Sequence, residues 1–310
     1  MSASVTTSAP IAGAQLHTAR PSFVGLVRGE LFKISKQRAT WVMAVLLLGI
    51  ICFPFLVNFA VIDLKDRIAF EPLAVLYRNM AENLLMLRIF SGTFLILVTA
   101  RLIGMEYSGG TIRVLLSRGV GRLQLLGAKL TAIGIVALGV LVFGVAIQFV
   151  LELLQLLLVA GNLDIFKAAN GQYWSDAWTY VLTIVINMVV TVMMATAVTV
   201  IGRSLAVGLS AGLAFFAVDN IGTIFLFLAS RIAGGNFWLL LSGDLLGPNL
   251  NEMPNLLLSN TPAASEAKVH ALAQPWVMVT GAHTVLVACV WTAAFIVVAV
   301  VLTARRDVTE

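Results

Sequence analysis

From Trp41 to Ala60 the chain runs for 20 residues without a charge, and five more predominantly apolar stretches follow it. A helix needs about 20 mostly apolar residues to cross the hydrocarbon core of a bilayer. In lipid no water is present to take up backbone N–H and C=O groups, so only helices and closed barrels can span. The stretches at 41–60, 84–103, 130–160, 178–201, 205–229 and 277–303 are therefore read as six transmembrane helices. Composition agrees: of 310 residues 60% are hydrophobic and 11% charged, with a mean hydropathy of +0.98, whereas soluble domains carry about 25% charged residues. So few charges cannot cover a water-facing surface. The expected fold class is an all-α integral membrane protein.

The net charge of +5 does not argue for nucleic acid, because Lys and Arg in such a chain mark the cytoplasmic side. With both termini inside, 13 of the 20 basic residues fall on that side, among them Arg28, Lys33, Lys36, Arg101, Arg113, Arg118, Arg122, Lys129, Arg203 and Arg305. The other seven, Lys65, Arg67, Arg78, Arg88, Lys167, Arg231 and Lys268, go outside or near the outer interface, together with most acids. This predicts a multi-pass protein of the cytoplasmic (inner) membrane with cytoplasmic N- and C-termini. Residues 1–21 lack the apolar core of about 7–15 residues that a secretory signal needs and read as a disordered cytoplasmic tail; residues 22–310 form a single transmembrane domain. Cys52 and Cys289 each lie within an apolar run and read as small hydrophobes.

Two regions lie against the membrane rather than across it. Between Ser22 and Arg38, the residues Phe23, Leu26, Val27, Leu31 and Ile34 share one helical face, and Arg28, Lys33 and Lys36 fall away from it, as in an interfacial helix. Before the last span, apolar pieces around Phe237–Leu246 and Leu256–Leu258 are too short to cross. With breaks at Gly247-Pro248 and Met253-Pro254, they are expected to form re-entrant or interfacial helices.

The segment between the second and third spans narrows the function most. Ser108-Gly109-Gly110-Thr111 resembles the core of an ATPase signature, but no G-x-x-x-x-G-K-[ST] loop exists in the chain and no strand–loop–helix unit could hold a nucleotide. No cofactor is expected, and any ATP must be bound by a partner. Gly109-Gly110 breaks the helix, Thr111 can cap the next one, and Ile112, Leu115 and Leu116 form a stripe at helical spacing with Arg113 and Arg118 beside it. Physics alone leaves two readings level: a short helix that docks into a groove with acidic edges, or an ordinary basic loop at the lipid phosphates.

The stretch Glu106…Gly110-Thr111…Arg113…Leu115-Leu116-Ser117-Arg118…Val120…Arg122…Lys129 resembles the loop after the second helix of ABC-2 type transporter permeases. Glu30-Leu31-Phe32-Lys33, followed by basic residues and Trp41, is similar to that family's entry into its first helix. Gly119 departs from the pattern, standing where many members have proline. The resemblance implies that 22–310 is a permease domain without catalytic residues. It implies a coupling helix that receives a separate ABC ATPase subunit, and a homodimer or heterodimer of permeases embedded in lipid, with no nucleic-acid partner. It assigns Glu106, Thr111, Ile112, Arg113, Leu115, Leu116, Arg118, Arg122, Glu30 and Lys33 to coupling, and transport, in the export direction, to the whole.

Polar residues inside spans are costly and mark function or packing. Asp219-Asn220 in the fifth span is a candidate for the translocation path or for helix packing, and an ionised Asp219 needs a partner. Gln148, Glu152 and Gln155 share one face of the third span; Glu152 is a second path candidate, with a hydrated outer vestibule as the plainer reading. His283 reads as a hydrogen-bonded packing residue, not a metal ligand, since no second His or Cys stands at ligand spacing. Arg101 and Glu106, five apart, are badly spaced for a direct pair. Two alternatives keep the topology but change the class: a non-transporting scaffold or assembly factor, and an ion-coupled carrier working through Asp219 or Glu152. No inverted repeat supports the carrier.

Overall fold

The computed structural model describes residues 22–59, 64–117, 119–268 and 273–305. The expected tail at 1–21 and Arg118 lie outside them. Every regular element among the described residues is helical: α1 (Phe23–Lys36), α2 (Arg38–Phe59), α3 (Leu64–Phe70), α4 (Pro72–Ser108), α5 (Thr111–Ser117), α6 (Arg122–Ala160), a 3-10 turn (Asp164–Ala168), α7 (Gly171–Gly202), α8 (Leu205–Ala233), α9 (Phe237–Ser242), α10 (Leu246–Leu257), α11 (Pro262–Ser265) and α12 (Gly281–Arg305). Six of them, α2, α4, α6, α7, α8 and α12, are long and apolar enough to cross a membrane. The chain is an all-α integral membrane protein.

The spans run longer than hydropathy alone predicts. At 1.5 Å per residue, the 39 residues of α6 reach about 58 Å, well beyond a hydrocarbon core of about 30 Å. The extra turns carry polar residues that a hydropathy average rejects, such as Arg78 and Asn79 in α4. These turns build the two ends of the bundle: a base, with α1, α5, the α7–α8 turn and the end of α12, and a crown, with α3 and α9–α11. The centre is α4 against α7, each about two-thirds (67%) buried over its apolar span, while α8 is 11% buried. The exposed apolar faces of α2, α6, α8 and α12 are those that meet lipid or another chain.

The tight turn expected at Gly202-Arg203-Ser204 is present. Arg203 closes it in the left-handed conformation (φ 49°), and the Ser204 side chain accepts from Val207 N at 3.0 Å as the N-cap of α8. The turn rests on α4, where Leu205 N donates to Ser108 Oγ at 3.2 Å. A side chain on Gly104 would put its Cβ 2.7 Å from Leu205 Cα and 2.9 Å from Leu205 N, backbone atoms that cannot rotate away. Gly104→Ala is therefore expected to lower thermal stability in detergent by about 1–3 kcal/mol, the usual cost of overpacking; an unchanged melting temperature would show that the turn can move off α4.

The region before α12 differs from expectation. Neither Pro248 nor Pro254 breaks a helix; both lie inside α10. Pro248 is the third residue, where a helical N–H has no partner to lose. Pro254 sits in the interior, and its missing N–H leaves the carbonyl of Leu250 without its intrahelical donor. That vacancy is filled from another helix: Arg88 Nη1 donates to Leu250 O at 2.7 Å. An external donor of this kind is what lets a proline remain inside a helix at membrane depth.

Candidate functional site

The base is organised around four charges. Lys33 Nζ lies 2.7 Å from Glu30 Oε1 and 2.6 Å from Glu106 Oε1. Lys129 Nζ lies 2.9 Å from Glu30 Oε2 and 2.8 Å from Glu106 Oε1. The result is a closed ring of alternating sign that joins α1, α4 and α6. Helical spacing explains its construction: Glu30 and Lys33 stand one turn apart on α1, Glu106 is in the last turn of α4, and Lys129 projects from the third turn of α6. Glu30, Glu106 and Lys129 are 2%, 6% and 3% exposed, whereas the Lys33 side chain is 44% exposed. Lys129 also donates to Leu102 O at 3.1 Å. Charges this deep persist only when paired and hydrogen-bonded.

Burial pulls the Lys33 amine down, but hydrogen bonds and charge from Glu106 and Glu30 outweigh it and leave the pKa raised above the usual 10.5. A raised lysine contributes stability that is fully present below the unfolded value and is lost as pH rises through the folded one. Lys33 should therefore add no pH dependence between pH 6 and 9, with its loss confined to strongly alkaline solution. Melting curves of Lys33→Met and the parent should run parallel over that range; a gap that opens near neutrality would overturn the assignment.

Below the ring lies α5. Gly110 (φ +66°) carries the bend before it and Gly119 (φ +82°) the bend after it. Proline is locked near φ −65°, so the angle at Gly119 is closed to proline. The placement of the α5 residues differs in part from the sequence reading. Thr111 is the first residue of the helix rather than its cap. Ile112 is turned inward and buried, Leu115 and Leu116 are half-buried, and Val114 is the exposed apolar side chain. Ile112 is thus an anchor of α5, not part of a free docking stripe. Arg122 Nη1 reaches Ala304 O in the last turn of α12 at 3.3 Å, a favourable place for a cation. Arg101 turns to Gln37, with Nε 3.4 Å from Oε1, and leaves Glu106 to the lysines.

The second polar site is a cavity of about 30 Å³ between α4, α7, α8 and α10, lined by Arg88, Asn187, Thr191, Asp219, Asn220 and Asn251 among others. That is room for a water or two. The partner that Asp219 needs is backbone: its Oδ2 accepts from Gly247 N in the first turn of α10, where a helix offers unpaired N–H groups and the positive end of its dipole. Asn220 Oδ1 accepts from Asn251 Nδ2 at 2.7 Å. With Arg88 on Leu250 O, three side chains from two spans hold α10 in place. Arg88 itself is 4% exposed, buried within the bundle. Its signal was present in the sequence as a charge inside an apolar run. Glu152 does not line this cavity; it is buried on α6 and faces no open vestibule. His283 is hydrogen-bonded as expected, with Nε2 2.9 Å from Gly243 O.

Four spans around a two-helix centre, with a charge-locked helical collar at one end, make a multi-pass membrane protein. The family model described as ABC-2 family transporter protein matches residues 26–219, well over half of the 310 residues. The chain belongs to that family and is the membrane permease of an ABC transporter. Among curated proteins no relative matches it.

Proposed function

We propose that this permease exports its substrate across the cytoplasmic membrane, driven by a separate ATPase subunit that binds ATP and docks at the base, which faces the cytoplasm. The observation that carries the reading is the ring Glu30–Lys33–Glu106–Lys129 directly above α5. A push on α5 enters α4 and α6 at once through their ends, and the ring binds α1 to the same unit. Val114, Leu115 and Leu116 form the face the ATPase receives, with Arg113, Arg118 and Arg122 beside them in sequence. The permease works as a homodimer or heterodimer, with the exposed apolar faces of its outer spans supplying the contact. Asp219 and Asn220, beside Arg88, lie on the translocation path beneath α10.

Leu115→Asp is expected to abolish transport in liposomes that also hold the ATPase, while insertion and melting temperature stay near the parent values, because the side chain is only half-buried. Arg113→Glu is expected to act in the same direction. If both variants transport at the parent rate while ATP is still required, the coupling assignment is wrong. Copurification supplies the other check: the intact permease should bring down a soluble nucleotide-binding protein, and the Leu115→Asp variant should not.

A further inference from the structure

Four buried polar atoms between α4 and α6 have no hydrogen-bond partner among the described residues: Asn79 Nδ2, Gln148 Oε1, Glu152 Oε1 and Gln155 Nε2. All four side chains are at least nine-tenths buried, at 3%, 3%, 7% and 1% exposure. Three contacts fix how the helices pair. Lys129 Nζ reaches Leu102 O, the Leu87 side chain fills the space where a Cβ on Gly144 would lie, and Gln148 Nε2 reaches Asn83 O at 3.2 Å. Each step up α6 is matched by an equal step back along α4, so the antiparallel register is constant over the whole contact. One turn further toward the crown, that register sets Glu152 level with Asn79, and Gln155 level with Leu76.

The lower half of this interface is largely apolar, with Leu87, Leu95 and Ile133 fully buried, and its unpartnered atoms on α4 are Thr99 Oγ1 and, beside the Lys129 amine, Glu106 Oε2. The upper half holds an acceptor and a donor at one level, Glu152 and Asn79, that do not bond each other. A second acceptor lies one turn below and a second donor about one turn above. Leaving a buried polar atom unbonded costs about 1–3 kcal/mol, and native interiors contain few such atoms. The complement of two donors and two acceptors identifies what belongs there. A cation is repelled by the amide N–H groups, an anion by the carboxylate, and an apolar chain satisfies none of the four. Water both donates and accepts.

We propose that the crown half of the α4–α6 interface is an internal water-binding site, in which ordered waters bridge Asn79, Gln148, Glu152 and Gln155. Gln148 Nε2 also donates to Ile51 O at 2.8 Å, beside the carbonyl of Ile50 that Pro54 leaves without a donor. Tyr173 on α7 stands edge-on to Tyr77 with ring centroids 5.2 Å apart, and Tyr77 adjoins Leu76, the residue level with Gln155. Above the interdigitated Leu87–Gly144 contact the two helices meet through water, so their crown ends can part without opening an empty cavity.

Hydroxyl-radical footprinting of the full chain in lipid nanodiscs tests the site, because radicals formed from bound water label the side chains beside it. Tyr173 is the reporter and Tyr180 the dry control, being 4% and 2% exposed. Tyr173 is expected to be labelled several-fold faster than Tyr180, to keep that rate in Glu152→Gln, and to fall to the Tyr180 rate in the pair Asn79→Leu with Glu152→Leu. Equal labelling of the two tyrosines in the parent overturns the proposal, and so does suppression by added sodium or potassium, which would mean a cation site. Should the leucine pair misfold, the parent comparison and the salt series still decide.

Discussion

Replacing Lys129 by alanine is expected to cost about 3–5 kcal/mol of stability, the usual result of removing one member of a buried ion pair. Its loss leaves the Glu30 and Glu106 carboxylates buried and facing each other, with Lys33 as the one cation left in the ring. Lys33→Ala should cost no more than about 1 kcal/mol, because a half-exposed amine is screened and its partners still share Lys129. Thermal unfolding of the two variants in the same detergent gives the comparison. Equal losses would mean that the ring does not depend on its buried members. Transport is the second readout: on the coupling proposed for α5, Lys129→Ala should lose it even under conditions that restore folding, because the ring would no longer tie α4 to α6.

Arg88→Leu should cost about 1–3 kcal/mol by leaving the Leu250 carbonyl buried without a donor. Adding Pro254→Ala to the same chain should recover most of that loss, since an alanine at 254 supplies the N–H that proline lacks. Pro254→Ala alone should change little while Arg88 is present, because the carbonyl is already bonded. The three melting temperatures close a double-mutant cycle. Strict additivity would show that Arg88 does not act through Leu250, and would move it from holding α10 to acting on whatever fills the cavity.

Much of the fold was legible along the chain. Six apolar runs gave six spans, and helical spacing gave α1. The residues from Glu106 to Lys129 gave the family as a resemblance, which the match over 26–219 turned into membership. The ends of the spans were less legible, because the first turns of α4 and α7 carry polar groups whose partners lie on other elements, as Tyr77 donates to Asp176 and Asp176 accepts from Ser259. Arg88 and Asn79 lower a hydropathy average, although both are buried within the bundle. The prolines of α10 were misread for a related reason. A local rule ends a helix at proline unless an outside donor stands ready, and that donor lies 162 residues away in sequence.

The sequence by itself determined the solvent and the number of crossings, because these follow from composition and periodicity, which are local. Only the tertiary structure decided which charges meet. Glu30, Glu106 and Lys129 carry no mark of one another in the chain, and they close a ring because α1, α4 and α6 converge at the base. Asp219 was an unexplained acid in a span until α10 presented its first-turn N–H to it. Electrostatic partners act over a few ångströms of space, whatever their separation in sequence, so the fold alone could name them.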